Sequence, residues 1–389
     1  MIGVAPGADA GRIVICTTSF PESTADGREA AGAFVLDFAR SLSRHRAVSV
    51  VAPAAVASRE RCAALDCVRF PAPRLPLSLL KAGRPSDWPA IHAVMTAGWR
   101  ALRGVLEEGE VSQVFALWAL PSGLWARRAW RRYGTPYSVW ALGSDIWSLA
   151  RLPLVRGLLR GVLRDARRCY ADGYGLCDEV AALAGRDCGF MPSARRLMIP
   201  DGVSRVRRPP YRLAFLGRWH PNKGIDLLLH ALAMLNDEDW CLIGAVTIAG
   251  GGPLREQVQA AVEELQGRGR PVRLASYLDK AQALALLRET DYLLIPSRIE
   301  SIPVIFSDAA QAGTPVIATP VGDQPRLLAG GGCGILAAGA GAEALVSAIR
   351  QALRDSPARY REGLLRVAAD FDVDASVAML LRDSLTPAP

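Results

Sequence analysis

Short, wholly apolar runs alternate with amphipathic stretches along the chain. Candidate strands fall at 12–16, 48–52, 114–118, 137–142 and 197–200, then at 213–217, 245–250, 272–275, 292–296 and 316–319. Between them the spacing turns helical. Ala31, Phe34, Val35, Phe38, Ala39 and Leu42 share one helix face, as do Ile225, Leu228, Leu229 and Leu232. Continuous apolar strands separated by such helices predict parallel sheets covered on both faces, an α/β fold.

The alternation breaks near residue 205. Residues 204–211 are basic and carry two prolines, a composition hostile to a helix or a central strand. The pattern then restarts at Leu213. Two domains are expected: 1–205, with a C-terminal helix at about 373–389 packing back on it, and 206–372. A chain of 389 residues fits two domains of about 150–200 residues each. The glycine-rich stretch 330–341 reads as turns around a short strand at Ile335 and Leu336.

Composition narrows the partners. The net charge of +8 is almost wholly arginine, since lysine occurs only at Lys81, Lys223 and Lys280. That balance suits anionic ligands, and no aromatic-basic string, zinc finger or helix-turn-helix pattern points to nucleic acid. Phosphate or an anionic membrane surface fits better. The eight cysteines include no Cys-x-x-Cys pair and the four histidines form no ligand set. The thiols therefore read as small buried hydrophobes in a reducing compartment, with no metal site. No leader-like segment and no bilayer-length apolar run is seen, so a cytoplasmic protein is expected.

The densest chemistry lies at 213–231, LAFLGRWHPNKGIDLLLHA, where a strand ends at Gly217 and a turn carries Arg218 and Lys223 before a helix. Cations at the carboxyl end of a strand, beside a helix N-terminus, suit a diphosphate. Taken alone, the pair reads equally as solvated surface charge. A second segment, 292–319, runs strand, turn, helix, Gly-Thr-Pro turn, strand. Glu300 sits in its turn and Asp308 within its helix. The backbone N–H groups of Ser301, Ile302 and Val304 are placed for phosphate oxygens, whereas Pro303 has none. Glu300 alone would also fit a helix-opening acid that offsets the dipole.

Together these segments resemble the retaining glycosyltransferases of family 4, which have the GT-B fold: two Rossmann-like domains with parallel sheets facing a central cleft. The matching positions are Gly217-Arg218, Lys223-Gly224, Glu300, Asp308, Ala309, Gly313, Pro315 and Val316. AGGGPL at 249–254, Val321-Gly322, MIPDGV at 198–203, Ser19-Phe20-Pro21, Gly32 and LGSDI at 142–146 extend the likeness over nearly the whole chain. The resemblance implies that Arg218 and Lys223 neutralise the diphosphate of a UDP- or GDP-sugar and that Glu300 binds the donor sugar. It implies further that Asp308 holds the ribose and that Gly32 lets the backbone approach the phosphates. The acceptor would be a glycan or lipid-linked sugar, entering mainly over the N-terminal domain. The nucleotide-sugar is a co-substrate, and transfer with retention needs neither metal nor other cofactor. Two positions depart from the family: Asp308 stands where it has Glu, and Leu142 where it often has His.

Other signals are weighed against plainer readings. Asp237-Glu238-Asp239 matches an Asp-x-Asp metal string but reads as a solvated loop, and Gly250–Gly252 lacks the rest of a dinucleotide fingerprint. In 151–168, Val155, Leu158, Leu159, Val162 and Leu163 form a stripe beside Arg156, Arg160, Arg164 and Arg167. It suits a helix packed on a sheet, the favoured reading, or a basic amphipathic helix on anionic lipid at the inner face of a membrane. Two functional alternatives stay open: a donor-binding pseudoenzyme serving as a partner subunit, and a nucleotide-sugar epimerase on the same fold.

Overall fold

The structure, a computed structural model, describes residues 11–21, 30–62, 64–147, 149–198 and 208–385. The chain divides into two units: one holds residues up to 193 together with the last helix from Val373, the other runs from Ala194 to Asp372. The division falls before the basic, proline-bearing stretch expected to mark it, half of which lies outside the described residues.

The first unit is built on eight strands: β1 (Arg12–Cys16), β2 (Val48–Ala54), β3 (Ser58–Cys62), β4 (Leu65–Pro71), β5 (Val111–Leu117), β6 (Tyr137–Ala141), β7 (Arg168–Ala171) and β8 (Cys188–Phe190). Their order is β3-β4-β2-β1-β5-β6-β7-β8, and all neighbours are parallel except β3 with β4. Every residue of β2 and β6 is buried, as a sheet covered on both faces requires. The helix Ala30–Leu42 lays Phe34, Val35, Phe38, Ala39 and Leu42 into the core, where Phe38 and Phe34 meet Trp140 and Trp140 stacks on Phe115. The side chain of Ala31 lies outside the described residues. The last helix, Val373–Leu385, packs on Ala30–Leu42 and is held by polar contacts. Tyr170 donates to Asp383 at 2.7 Å, Ser41 to Asp374 and Ser384 to Gln113.

Four strands escaped the sequence pattern. The strand β3 reads SRERC, with no apolar alternation, because it is an edge strand. Its Arg59 forks onto Asp66 of β4 at 2.9 and 2.8 Å and onto Glu108. The strand β4 alternates buried Leu65 and Cys67 with half-exposed neighbours, and β7 and β8 are too short to show a period. Conversely, the strand expected at 197–200 is absent at Leu197 and Met198, and 199–200 lie outside the described residues. Instead of a ladder partner, the Leu197 amide finds the Gln311 side chain at 3.3 Å.

The second unit has six parallel strands: β9 (Tyr211–Arg218), β10 (Ile243–Gly251), β11 (Val272–Ala275), β12 (Tyr292–Ile295), β13 (Val316–Ala318) and β14 (Gly334–Leu336). The order β11-β10-β9-β12-β13-β14 is that of a Rossmann sheet. The strand order reverses between β9 and β12, with later strands added on the opposite side of β9, and the crevice at that switch is where such sheets take ligands. Asp237-Glu238-Asp239 is not a loop. It opens a short helix, Asp237–Cys241, capped by Asn236, and buried Asp239 pairs with Arg350 at 3.0 Å.

Candidate functional site

The switch point of the second unit gathers three of the residues expected from sequence. Arg218 closes β9 and is exposed, and its guanidinium has no ion pair among the described residues. The chain then makes a tight turn, Pro221–Lys223, in which the Asn222 amide donates to His220 Nδ1 at 3.2 Å. Gly224 follows at φ 66° and starts the helix Ile225–Ala233. A Cβ at Gly224 would stand 1.8 Å from the Pro296 carbonyl oxygen, just beyond β12. Only glycine fits both the left-handed backbone and the contact.

That close approach sets the loop after β12 against the turn after β9. The Arg298 amide donates to the Asn222 carbonyl at 2.8 Å, and its guanidinium donates to the Pro221 carbonyl at 2.8 Å. The same guanidinium forks onto Asp226 at 2.7 and 2.8 Å, which holds that carboxyl below the usual carboxylate range. On the other side, Gly322 at φ 58° lies so close that a Cβ would meet the Glu300 and Ser301 carbonyls at 2.2 and 2.4 Å. Thr319 Oγ1 donates to the Ser297 carbonyl at 2.6 Å. Clamped from both sides, the loop places Glu300 against Lys223, and the two side chains form an ion pair. Their side chains are 18% and 33% exposed, so the pair faces solvent and can exchange partners.

Ser301 and Ile302 are buried beyond Glu300, and Pro303 caps the helix Val304–Ala312 without a side-chain bond. Helix geometry leaves the first-turn amides without intrahelical acceptors, so this end is a ready anion seat. The glycine run at the end of β10 wraps Arg218–Trp219. Cβ atoms at Gly250 and Gly252 would strike the Gly217 and Trp219 carbonyls at 1.9 and 2.6 Å. Tyr277 donates to the Gly251 carbonyl at 2.6 Å. These glycines therefore serve backbone packing, and Gly217 supplies the carbonyl that Gly250 closes upon.

Asp308 does not join this group. Its side chain is fully buried and both carboxylate oxygens accept from Arg195, Nε at 3.2 and 3.0 Å and Nη2 as well. Its partner comes from elsewhere in the chain, a pairing the sequence did not disclose. Sequence reading also missed Arg298 and Asp226, which have no motif of their own and show their role only when the loops meet.

Gly32 belongs to the first unit, on the opening turn of Ala30–Leu42. A Cβ there would stand 3.0 Å from Ser19 Oγ and 3.1 Å from the Phe20 backbone, so the missing side chain fits the turn after β1. This sheet also has a switch, between β1 and β5. Just past β5, Trp118 holds φ at 64°, unusual for a bulky residue. Buried Asp145 then accepts from the Ala119 amide and, at 3.2 Å, from the Leu142 amide. Burial pushes its pKa up to about 6 against the pull of these backbone bonds.

Residues 210–355 match the family model described as Glycosyl transferases group 1. A D-inositol 3-phosphate glycosyltransferase of Corynebacterium glutamicum is 34% identical over 202 residues, 50% of this chain and 46% of that protein. The chain thus spans about half the length of the curated relatives it matches. Sucrose-phosphate synthase from Thermosynechococcus elongatus aligns with a TM-score of 0.74 at 18% identity, covering 96% of this chain and 98% of that one. HepE of Anabaena, solved in complex with UDP, aligns with a TM-score of 0.66 at 16% identity, covering 95% and 98%. The chain has the GT-B fold, and its second unit carries the glycosyl transferases group 1 match.

Two outcomes are expected from this geometry. Gly224→Ala should lower unfolding free energy by about 2–4 kcal/mol in denaturant titration, through strain and the clash with Pro296. A variant as stable as the wild type would mean that the two loops are not in contact. At Asp145 the folded pKa lies above the unfolded one, so the folded state binds the extra proton between about pH 4 and pH 6. Stability from this group therefore falls as pH rises through that window. Asp145→Asn should gain on the wild type across it, and a stability difference independent of pH would contradict the assignment.

Proposed function

We propose that this protein is a metal-independent, retaining glycosyltransferase that moves a sugar from a UDP- or GDP-sugar to a glycan or lipid-linked acceptor. The reading rests on the meeting of Lys223 and Glu300 at the β9/β12 switch, with Arg218 at the strand end and helix amides alongside. An arriving diphosphate offers Lys223 an anion in place of Glu300. Glu300 is then released to accept hydrogen bonds from hydroxyls of the donor sugar. Arg218, Lys223 and the amides about Ser301, Ile302 and Val304 stabilise the charge that develops on the departing diphosphate.

In the step itself the bond from the anomeric carbon to the phosphate oxygen breaks, and its electron pair stays on the diphosphate. The acceptor hydroxyl attacks the same face of the oxocarbenium-like carbon and passes its proton to a leaving phosphate oxygen. No protein base or metal enters. Positioning and charge stabilisation carry the rate.

Lipid-linked acceptors fit a further observation. The helix Pro153–Asp165 buries Leu159, Val162 and Leu163 but leaves Leu154 and Leu158 at 88% and 48% exposure. Exposed Arg151, Arg156, Arg160 and Arg164 accompany them. The expected stripe is thus split: part packs on the sheet, and part lies open among cations, as a peripheral contact with anionic lipid requires. Among the described residues no helix is long and apolar enough to cross a membrane.

Thermal-shift titration with UDP-, GDP- and ADP-sugars in EDTA tests the donor reading. A ligand at a hundred times its Kd adds about 2.7 kcal/mol of stability. One nucleotide series should shift the wild type and not Lys223→Ala. No shift with any donor would favour a subunit that works only with a partner. Lys223→Ala and Arg218→Ala should each lose on the order of 3 kcal/mol of transition-state stabilisation, about a hundredfold in rate. Normal turnover in both removes their assigned roles. Leu154→Glu with Leu158→Glu should abolish sedimentation with anionic vesicles at low salt. If the wild type itself stays in the supernatant, the membrane contact is dropped.

A further inference from the structure

At the edge of the second sheet opposite the Lys223 and Glu300 loops lies an open cavity of about 530 Å³. Two hydrogen bonds fix its place. Tyr211 and Tyr292, the first residues of β9 and β12, donate their hydroxyls to the Asp355 carbonyl at 3.0 and 3.1 Å. The Lys223 and Glu300 loops follow the other ends of the same two strands. With eight residues in β9, the two places stand roughly 25 Å apart.

One wall is a face of the helix Ala342–Arg354, on which Ser347, Arg350, Gln351 and Arg354 fall at i, i+3, i+4 and i+7. Asp355 and Arg359, the latter in the turn Pro357–Tyr360, complete the lining. Small-molecule sites are mostly apolar, and no apolar side chain lines this one, so charge selects its occupant. Three guanidinium groups stand here against one carboxylate, and that carboxylate is already served. Asp355 accepts from the Ser356 amide at 2.9 Å, the Tyr360 hydroxyl at 2.8 Å and Arg359 at 3.2 Å. Arg350 is held in place by Asp239, with Nε 3.2 and 3.0 Å from its two oxygens. Arg354 is exposed and makes no ion pair among the described residues. Offsetting the helix dipole would account for Arg354 in the last turn, but not for Arg359 beyond the helix end.

We infer that this cavity is a second anion site, which takes a phosphate monoester through Arg350, Arg354 and Arg359. A guanidinium presents a planar fork of donors, and its bonds to phosphate oxygens are charge-assisted. A phosphate monoester carries three terminal oxygens for the three forks, where a carboxylate would carry two. Ser347 turns its hydroxyl to the Glu343 carbonyl at 3.1 Å, which leaves the arginines as the main donors. The site uses none of the residues assigned to the nucleotide-sugar and stands whether or not that reading holds.

Glycerol 3-phosphate is the soluble probe, and phosphatidylcholine vesicles containing phosphatidate present the same ester on a lipid. Calorimetric titration compares the wild type with the double variant Arg354→Ala, Arg359→Ala. The double variant should bind glycerol 3-phosphate at least about tenfold more weakly, through loss of hydrogen bonds between charged groups. Lys223→Ala should bind it as the wild type does, which separates this site from the opposite edge of the sheet. If the double variant melts early, Arg354→Ala alone repeats the comparison, since it breaks no ion pair. Arginine-dependent binding of the soluble ester supports the site with a free metabolite as source; arginine-dependent sedimentation with the vesicles alone supports it with a lipid headgroup. Equal binding by wild type and double variant, loss of binding in Lys223→Ala, or no binding in either arm overturns the inference.

Discussion

A hydrogen is the largest group that fits at Gly224, and the organisation of the second unit's site follows from that. The Pro296 carbonyl occupies the space where any other residue would carry its Cβ. The turn after β9 and the loop after β12 therefore approach to hydrogen-bonding distance, and Asn222, Arg298 and Asp226 close the gap. Parallel strands bring the ends of β9 and β12 to the same edge, but only this contact sets their loops in register. Lys223 and Glu300, 77 positions apart, meet as a consequence. Gly322 repeats the device on the opposite flank, so the Glu300 backbone is held from two directions.

The two ion pairs of this region do different physical work. Lys223–Glu300 is partly exposed, and a pair of that kind adds little to stability, about 0–1 kcal/mol. Weakness suits the donor-binding role proposed for it, in which a ligand parts the two charges. Arg195–Asp308 is buried, and breaking such a pair from one side costs about 3–5 kcal/mol because the other charge is stranded. It fixes the helix Val304–Ala312 to the segment after Ser193, and so fixes the end of that helix which presents its amides. In that proposal the first pair opens on binding, while the second holds its helix in place.

The legible part of the molecule was the part with local pattern. Arg218 and Lys223 stand at a strand end and in the turn beyond it, Glu300 in the loop after another strand, and each strand shows itself by an apolar run. The sheet of the second unit was readable for the same reason. Asp308 was read from its place in the helix and from the family resemblance, and neither discloses a partner 113 residues away in a stretch without regular structure. Likewise β3 is polar because it is an edge, where apolar alternation is a liability rather than a signal. Asp239 looked solvated because Arg350, which neutralises it, comes from a helix far along the chain. For Asp308 and Asp239 the undisclosed interaction is long-range and polar, which hydrophobic periodicity does not encode.

Charge is the last feature to change meaning in three dimensions. A surplus of arginine suggests a surface made for polyanions, yet many of these guanidinium groups are structural. Arg59 ties β3 to β4, Arg127 holds Asp165 at 2.6 Å, and Arg186 reaches the Arg167 carbonyl at 2.8 Å. Arg195, Arg298 and Arg350 each lock a carboxylate. Arginine suits such duty because its planar fork satisfies two acceptors at once and its charge does not titrate away. Net charge therefore overstates the positive surface offered to a ligand. Arg218 is of the other kind: exposed, at a strand end, and without an ion pair among the described residues. With Lys223 and a helix N-terminus close by in the fold, a small number of positive groups converges at the sheet's switch point. That convergence, rather than the total of +8, is the electrostatic argument for a diphosphate there.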